Sequence, residues 1–422
     1  MTPFSIGDLL IGTATAALQI EGGDRNNNWY DWASLPGTIK DGTTPLRATD
    51  HWHRWREDTE LMATLGLQVY RMGVEWSRIE PRPGEFSTEA IDHYREEISL
   101  LRARGIRPLV TLHHFTNPSW FQGIGEWTHP ESVNIWLRFV RRVVTDLGDL
   151  VDEWVTLNEP NVYAVMTRLY GEFPPGHRSL PETIKVMRHM AIAHVRAYEL
   201  IHEIQAHATV GLAHHLRSFD PLRVWDSPMA KINTYLFQDA LVDATLGGRF
   251  ARVLGGQPRE VSPGKYYDYL GINYYTRSAV VGFSDRVFPN TPVNDLGWEI
   301  YPEGLTRIAQ DLHDRYPGPI WITENGTADN DEAFRSRYLA DHLRVISESQ
   351  LPFERYYHWC FVDNFEWAEG EVPRFGIVHN DFDTQARTIK PSGHFLAQVI
   401  KDRGVTAEAL AQYVVPQRYR VG

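Results

Sequence analysis

Short apolar or β-branched runs recur along the whole chain, and each leads into a polar loop and then a segment whose apolar positions have helical spacing. Eight such runs stand at residues 9–16, 68–74, 107–113, 153–157, 209–214, 267–273, 320–324 and 356–361. Between the first two, Trp52, Trp55, Met62 and Leu65 recur three or four apart and give one apolar face. Eight strand-then-helix alternations imply parallel strands joined by helical crossovers. The expected fold class is therefore α/β, a single (β/α)8 TIM barrel occupying residues 1–422 as one domain. A doubly wound open sheet is the rival. It calls for a Gly-rich phosphate turn after the first strand, and Gly12-Thr13-Ala14-Thr15 followed by Gln19-Ile20-Glu21-Gly22 is not one. No Pro/Ser linker, charge block or low-complexity segment interrupts the pattern.

Composition narrows the function classes. With 42% hydrophobic and 23% charged residues, the chain has enough apolar mass for a large core. Its 42 Lys plus Arg against 54 Asp plus Glu give a net charge of −12, a field that repels phosphate backbones and argues against a nucleic-acid partner. A single cysteine, Cys360, excludes an intrachain disulfide and a Cys-rich zinc site, and is compatible with a reducing compartment. The apolar stretch at residues 9–18 lacks a basic leader and follows Asp8, so it reads as a buried strand rather than a signal peptide. No run of 18 apolar residues predicts a membrane span, and a cytoplasmic location is expected. Fourteen tryptophans suit stacking against the C–H faces of sugars, although most should be core.

In a barrel the polar residues at the C-terminal ends of strands converge on one pocket. These are Gln19 after strand 1, His114 after strand 3, Asn158-Glu159 after strand 4, Asn273 and Tyr275 after strand 6, Glu324-Asn325 at strand 7 and Glu366-Trp367 after strand 8. The long loops at residues 327–333 and 363–374 also fall on this side. Carboxylates on strands 4 and 7 would face each other across the mouth. Glycoside hydrolysis needs such a pair, one to protonate the departing oxygen and one to attack from the opposite face. At a separation of about 5–5.5 Å the outcome is retention.

Thr156-Leu157-Asn158-Glu159-Pro160 and Ile322-Thr323-Glu324-Asn325-Gly326 resemble the TLNEP and ITENG motifs of family 1 glycoside hydrolases, the β-glucosidase family. Gln19-Ile20-Glu21-Gly22, Leu270-Gly271-Ile272-Asn273-Tyr274-Tyr275, Gly297-Trp298-Glu299-Ile300-Tyr301-Pro302 and Asp363-Asn364-Phe365-Glu366-Trp367-Ala368-Glu369-Gly370 extend the resemblance in order along nearly the whole chain. The resemblance implies a retaining β-glycosidase acting on terminal β-D-glucosyl or related residues of a small or oligosaccharide β-glycoside. It implies Glu159 as acid/base, with a pKa raised by the neighbouring carboxylate, and Glu324 as nucleophile. Arg71, Asn273 and Tyr275 would support the nucleophile. Asn158 would bind the sugar 2-hydroxyl, while Gln19, His114, Glu366 and Trp367 would hold the other hydroxyls and Trp359 would lie beneath the ring. No cofactor and no metal are implied.

The chain also departs from the family. His113-His114-Phe115-Thr116 has a phenyl ring where the family carries an indole donor, and His379-Asn380 interrupts a late motif without an evident reason. Glu366 stands where 6-phosphoglycosidases grip phosphate, so its charge should repel that group. Galactoside or fucoside preference is an alternative within the family. Two rivals lie outside it. A metal-dependent barrel hydrolase is suggested by His51-Trp52-His53, His113-His114 and His214-His215, but their spacing does not join them. A sugar-binding barrel without turnover is disfavoured because both Glu159 and Glu324 are present.

Overall fold

The eight runs become the eight strands of one closed parallel barrel in the computed structural model, which describes residues 1–282 and 284–422. In chain order they are β1 (Leu10–Ala14), β2 (Val69–Gly73), β3 (Arg107–Thr111), β4 (Glu153–Asn158), β5 (Thr209–His215), β6 (Leu270–Asn273), β7 (Ile320–Asn325) and β8 (Phe353–Trp359). Each pairs in parallel with the next, and β8 pairs with β1 in the register His358↔Thr13. That last pairing removes both sheet edges and excludes the open doubly wound sheet. The strands are buried on both faces, which is why they read as apolar runs rather than as an alternation.

Helices return the chain along the outside: α1 (His51–Thr64), α2 (Thr88–Ala103), α3 (Ser132–Leu147), α4 (Leu180–Ile204), α5 (Ala240–Gly247), α6 (Glu303–Arg315), α7 (Arg335–Glu348) and α8 (Pro391–Asp402). In α3, Val133, Trp136, Val140, Val143, Val144 and Leu147 form the stripe laid on the barrel. In α1, Trp55 and Met62 are buried, as their spacing requires. Among the described residues no helix is long and apolar enough to cross a membrane.

Residues 9–18 are not one strand. The ladder ends with Thr15 N–H donating to Arg71 O at 2.9 Å, and Ala17–Glu21 forms a short helical turn. Ala17-Leu18-Gln19 has no β-branched residue to favour extension, and Leu and Ala prefer helix. Gln19 therefore reaches the mouth from a helical turn.

The barrel is filled at the N-terminal end of its strands. Tyr269 stacks on Trp321 with ring centroids 3.8 Å apart, the Arg355 guanidinium lies 3.7 Å from the Trp321 ring centroid, and Arg355 pairs with Glu153. A cavity of about 260 Å³ opens at the other end, where residues following the strands converge.

Candidate active site

Arg71, wholly buried on β2, organises the floor of this cavity. Its Nη1 donates to Glu324 Oε1 at 2.6 Å, its Nη2 to Asn158 Oδ1 at 2.7 Å and its Nε to Thr111 Oγ1 at 3.0 Å. Tyr275, just beyond β6, donates its hydroxyl to Glu324 Oε2 at 2.6 Å. Both oxygens of Glu324 thus accept from a donor. Thr323 Oγ1 donates to Asn273 Oδ1 at 2.6 Å, so the amide nitrogen of Asn273 turns to Asn158 Oδ1 at 3.0 Å and Glu159 Oε1 at 2.8 Å. Through Arg71, Asn158 and Asn273 the two glutamates of β4 and β7 are joined in one network.

The motif residues around them have local reasons. Glu159 follows β4 with φ 42°, and Pro160 opens the short helix Pro160–Val165, where its missing N–H costs nothing. Phe115 and Trp367, which also line the cavity, have φ of 64° and 50°. Left-handed non-glycine residues cost roughly 1–3 kcal/mol each and gather at functional sites. Gly326 is required because a Cβ there would fall 1.9 Å from Trp359 O. Asn325 points outward to Tyr274 O and the Tyr338 and Tyr356 hydroxyls, so it holds β7 rather than ligand.

Glu159 has a partner that the strand-end reading omitted. His215, the last residue of β5, places Nδ1 3.1 Å from Glu159 Oε1, while Arg217 Nη2 lies 3.0 Å from His215 Nε2. A guanidinium only donates, so Nε2 accepts and the ring's proton sits on Nδ1, donating to Glu159. Glu159 Oε2 makes no hydrogen bond among the described residues. Burial, against Arg71 and with help from the Glu159 charge, pushes Glu324 up to about 7. Burial also lifts Glu159, but His215, Asn273 and Arg71 outweigh it and hold that carboxyl below its ordinary value. The raised value expected for Glu159 is therefore found on its partner, and the pair as a unit keeps its last proton to about 7.

Gln19 donates to Asn364 Oδ1, Phe365 O and Glu366 Oε2 at 3.1, 2.8 and 3.1 Å, and its Oε1 is buried without a partner among the described residues. His114 lies between Trp359 and Trp367, 5.7 Å from each ring, with Nε2 3.0 Å from the Asn158 amide and Nδ1 unpartnered. Burial and the Glu324 charge, against donors from Gln19 and Trp359, push Glu366 up to about 8. A carboxyl that holds its proton near neutrality repels a phosphate weakly, so the charge argument against 6-phosphoglycosides loses force. Phe115 packs at a tilt between Trp367 and Phe173, 5.2 and 5.8 Å away. His379 reaches Asp363 at 3.3 Å, at the start of the loop that carries Glu366, whereas Asn380 accepts from Arg387 at 2.8 Å on the neighbouring strand. The loop at residues 327–333 stays outside the cavity, where Asp329 caps the backbone of Phe334 and Arg335.

The paired histidines separate. His51 binds Asp58 and Glu97, His113 binds Asn117 and His214 binds Thr245, while His114 and His215 turn to the cavity. Among the described residues no three His, Cys, Asp or Glu side chains stand as a metal-ligand group.

Comparison with known proteins gives the same answer at the level of the whole chain. Beta-glucosidase A of Thermotoga maritima is 32% identical, with 94% of this chain and 97% of that protein covered. Beta-glucosidase A of Acetivibrio thermocellus is also 32% identical, over 94% of this chain and 98% of its own length. The solved structure of the Thermotoga maritima beta-glucosidase in complex with glucoimidazole superposes with a TM-score of 0.87 at 31% identity, covering 94% of this chain and 98% of that one. The model of glycosyl hydrolase family 1 matches residues 4–405, and with the barrel and its glutamate pair this shows that the chain belongs to glycosyl hydrolase family 1.

Proposed function

We propose that this glycoside hydrolase removes terminal β-D-glucosyl or closely related β-glycosyl residues with retention, using Glu324 as nucleophile and Glu159 as acid/base, and that residues 1–422 act as one catalytic unit. One observation carries the assignment of roles: Glu324 has a donor on each oxygen, whereas Glu159 leaves Oε2 open to the cavity. Donors on both oxygens favour the ionised form that attack requires, and a free oxygen is where a transferable proton fits.

In the first step a Glu324 oxygen bonds to the anomeric carbon as the bond to the leaving oxygen breaks, and that oxygen takes the proton from Glu159 Oε2. Esterified Glu324 carries no charge, so the repulsion that favoured a proton on Glu159 is gone and Glu159 is left ionised, the form that can act as base. In the second step it takes a proton from water as that water's oxygen bonds to the anomeric carbon and Glu324 leaves as carboxylate. The sugar hydroxyls are left to Asn158, the vacant acceptor on Gln19, the unpartnered nitrogen of His114, and Glu366 and Trp367, over the Trp359 ring. His114 lines the cavity with an unpartnered buried nitrogen, and Gln19, which donates to the lining residue Glu366, carries an unpartnered buried oxygen among the described residues, both of which suit a polyhydroxyl ligand. A cytoplasmic location belongs to this reading, supported by the single buried thiol of Cys360.

The test is Glu159→Ala on a leaving-group series. An alkyl β-glucoside should lose about 10²–10⁴-fold in kcat/KM, the usual worth of general acid catalysis, whereas a dinitrophenyl β-glucoside should lose far less. Equal loss across the series would sink Glu159 as the acid.

A further inference from the structure

The reading of Glu159 as proton donor places the leaving group on the β4–β5 side of the cavity, and the role of Arg217 rests on that reading. Arg217, two residues beyond β5, lines that side. A π-helical turn, Tyr235–Asp239, sets Phe237 beside its guanidinium at 5.3 Å, and Gln238 Oε1 accepts the Arg217 backbone N–H at 3.1 Å. The side chain's hydrogen bonds go to His215 Nε2, from Nε at 3.3 Å and Nη2 at 3.0 Å, and to Ser278 Oγ, from Nη1 at 3.3 Å.

None of these partners is an acid. The deeply buried arginines Arg71, Arg168, Arg335, Arg355 and Arg387 each meet a carboxylate, from Glu324, Glu126, Glu332, Glu153 and Asp58 respectively. Arg217 forms no ion pair among the described residues. Of the five N–H groups of a guanidinium, the three contacts leave two without an acceptor among the described residues. Burial pulls the Arg217 guanidinium below its ordinary value, against the more distant Asp285, Glu159, Tyr170 and Tyr274. The side chain is half-buried, so a cation without an ion-pair partner among the described residues stands at the wall of the cavity, where an entering anion can reach it.

Apolar wall is supplied by Val162 and Met166 from the segment following Glu159 and by Leu296 and Trp298 from the loop after β6, with Glu172 and Thr276 as its polar members. The cavity is also less anionic than its count of glutamates, since the Glu159 and Glu324 pair keeps a proton to about 7 and Glu366 keeps its own to about 8. We propose that the leaving-group subsite takes an aryl aglycone bearing a carboxylate, whose ring lies against Val162 and Met166 while its anionic group pairs with the free N–H groups of Arg217. A planar carboxylate matches the guanidinium fork.

The experiment compares 4-carboxyphenyl β-glucoside with 4-carbamoylphenyl β-glucoside, close in shape but differing in charge, in the wild type, Arg217→Gln and Arg217→Lys. The carboxylate withdraws electrons less than the amide, an intrinsic difference common to all three proteins, so the comparison is of the ratio between proteins. The ratio of kcat/KM, charged over neutral, should be highest in the wild type, fall by about tenfold or more in R217Q, and be partly kept in R217K. Inhibition by 4-hydroxybenzoate against 4-hydroxybenzamide, measured on the wild type alone, should favour the anion. A ratio unchanged across the three proteins, or no preference for the benzoate, would overturn the proposal. Should the wild type cleave neither glycoside, the reading of Glu159 and Glu324 fails instead, and calorimetric binding of 4-hydroxybenzoate still decides the Arg217 site.

Discussion

Replacing Tyr275 by Phe removes one hydroxyl and leaves the ring, and it acts on one atom, Glu324 Oε2, 2.6 Å away. Burial and the Glu324 charge push the phenol well above its ordinary value, so it stays a donor throughout the working range. A hydrogen bond to a charged group contributes about 1.5–3 kcal/mol, equivalent to roughly one to two pKa units. Since the raised value lies on Glu324, singly protonated enzyme holds its proton mainly there, and only the share that carries it on Glu159 is productive. Without Tyr275 the Glu324 carboxylate binds the proton more tightly, so the productive share, and with it the plateau of kcat/KM, should fall roughly ten- to a hundredfold. The alkaline limb, where the pair loses its last proton at about 7, should move up by roughly one to two units while the acid limb hardly moves. The assay is kcat/KM on an aryl β-glucoside from about pH 4 to about pH 9. An alkaline limb and a plateau both unmoved in Tyr275→Phe would mean that the phenol does not act on the Glu324 carboxylate, and the assignment of Glu324 as the supported nucleophile would fail.

Glu324→Gly should lower turnover of an aryl β-glucoside by about 10⁴-fold or more, as loss of a nucleophile does in other covalent mechanisms, and near-normal kcat would exclude Glu324. Gly326→Ala forces a Cβ to within 1.9 Å of the Trp359 carbonyl, a backbone atom that cannot turn aside; the variant should lose at least about 2 kcal/mol in urea unfolding, and an unchanged midpoint would contradict the packing at the β7–β8 junction. His51 is held between Asp58 and Glu97, which against burial raise it from 6.5 to about 10. A raised histidine stabilises fully below its unfolded value, so this contribution should be complete below about pH 6.5, decline by up to about 1.4 kcal/mol per pH unit above it, and vanish beyond about 10. In His51→Gln that slope should flatten; an identical pH dependence would show that the ring carries no charge.

Parallel strands buried on both faces leave an unbroken apolar signature, and for that reason all eight were visible in the sequence. Closure was not, because the β8–β1 register joins His358 to Thr13 across most of the chain. Glu159 and Glu324 were legible through their motifs, and their placement at adjoining positions around one cavity follows from the strands that carry them. His215 was passed over for a specific reason: the His214-His215 doublet resembled metal ligands, whereas strand alternation sends the first ring out to Thr245 and the second in to Glu159. The distribution of protons was beyond reach as well. It depends on Thr323 turning the Asn273 amide, on Arg217 choosing the tautomer of His215, and on burial that no motif encodes. Two glutamates of the same chemistry are told apart by which oxygens their neighbours occupy. Those neighbours come from β2, β5 and β6 and from the residue just beyond β6, so the assignment of acid and nucleophile is a property of the assembled barrel mouth.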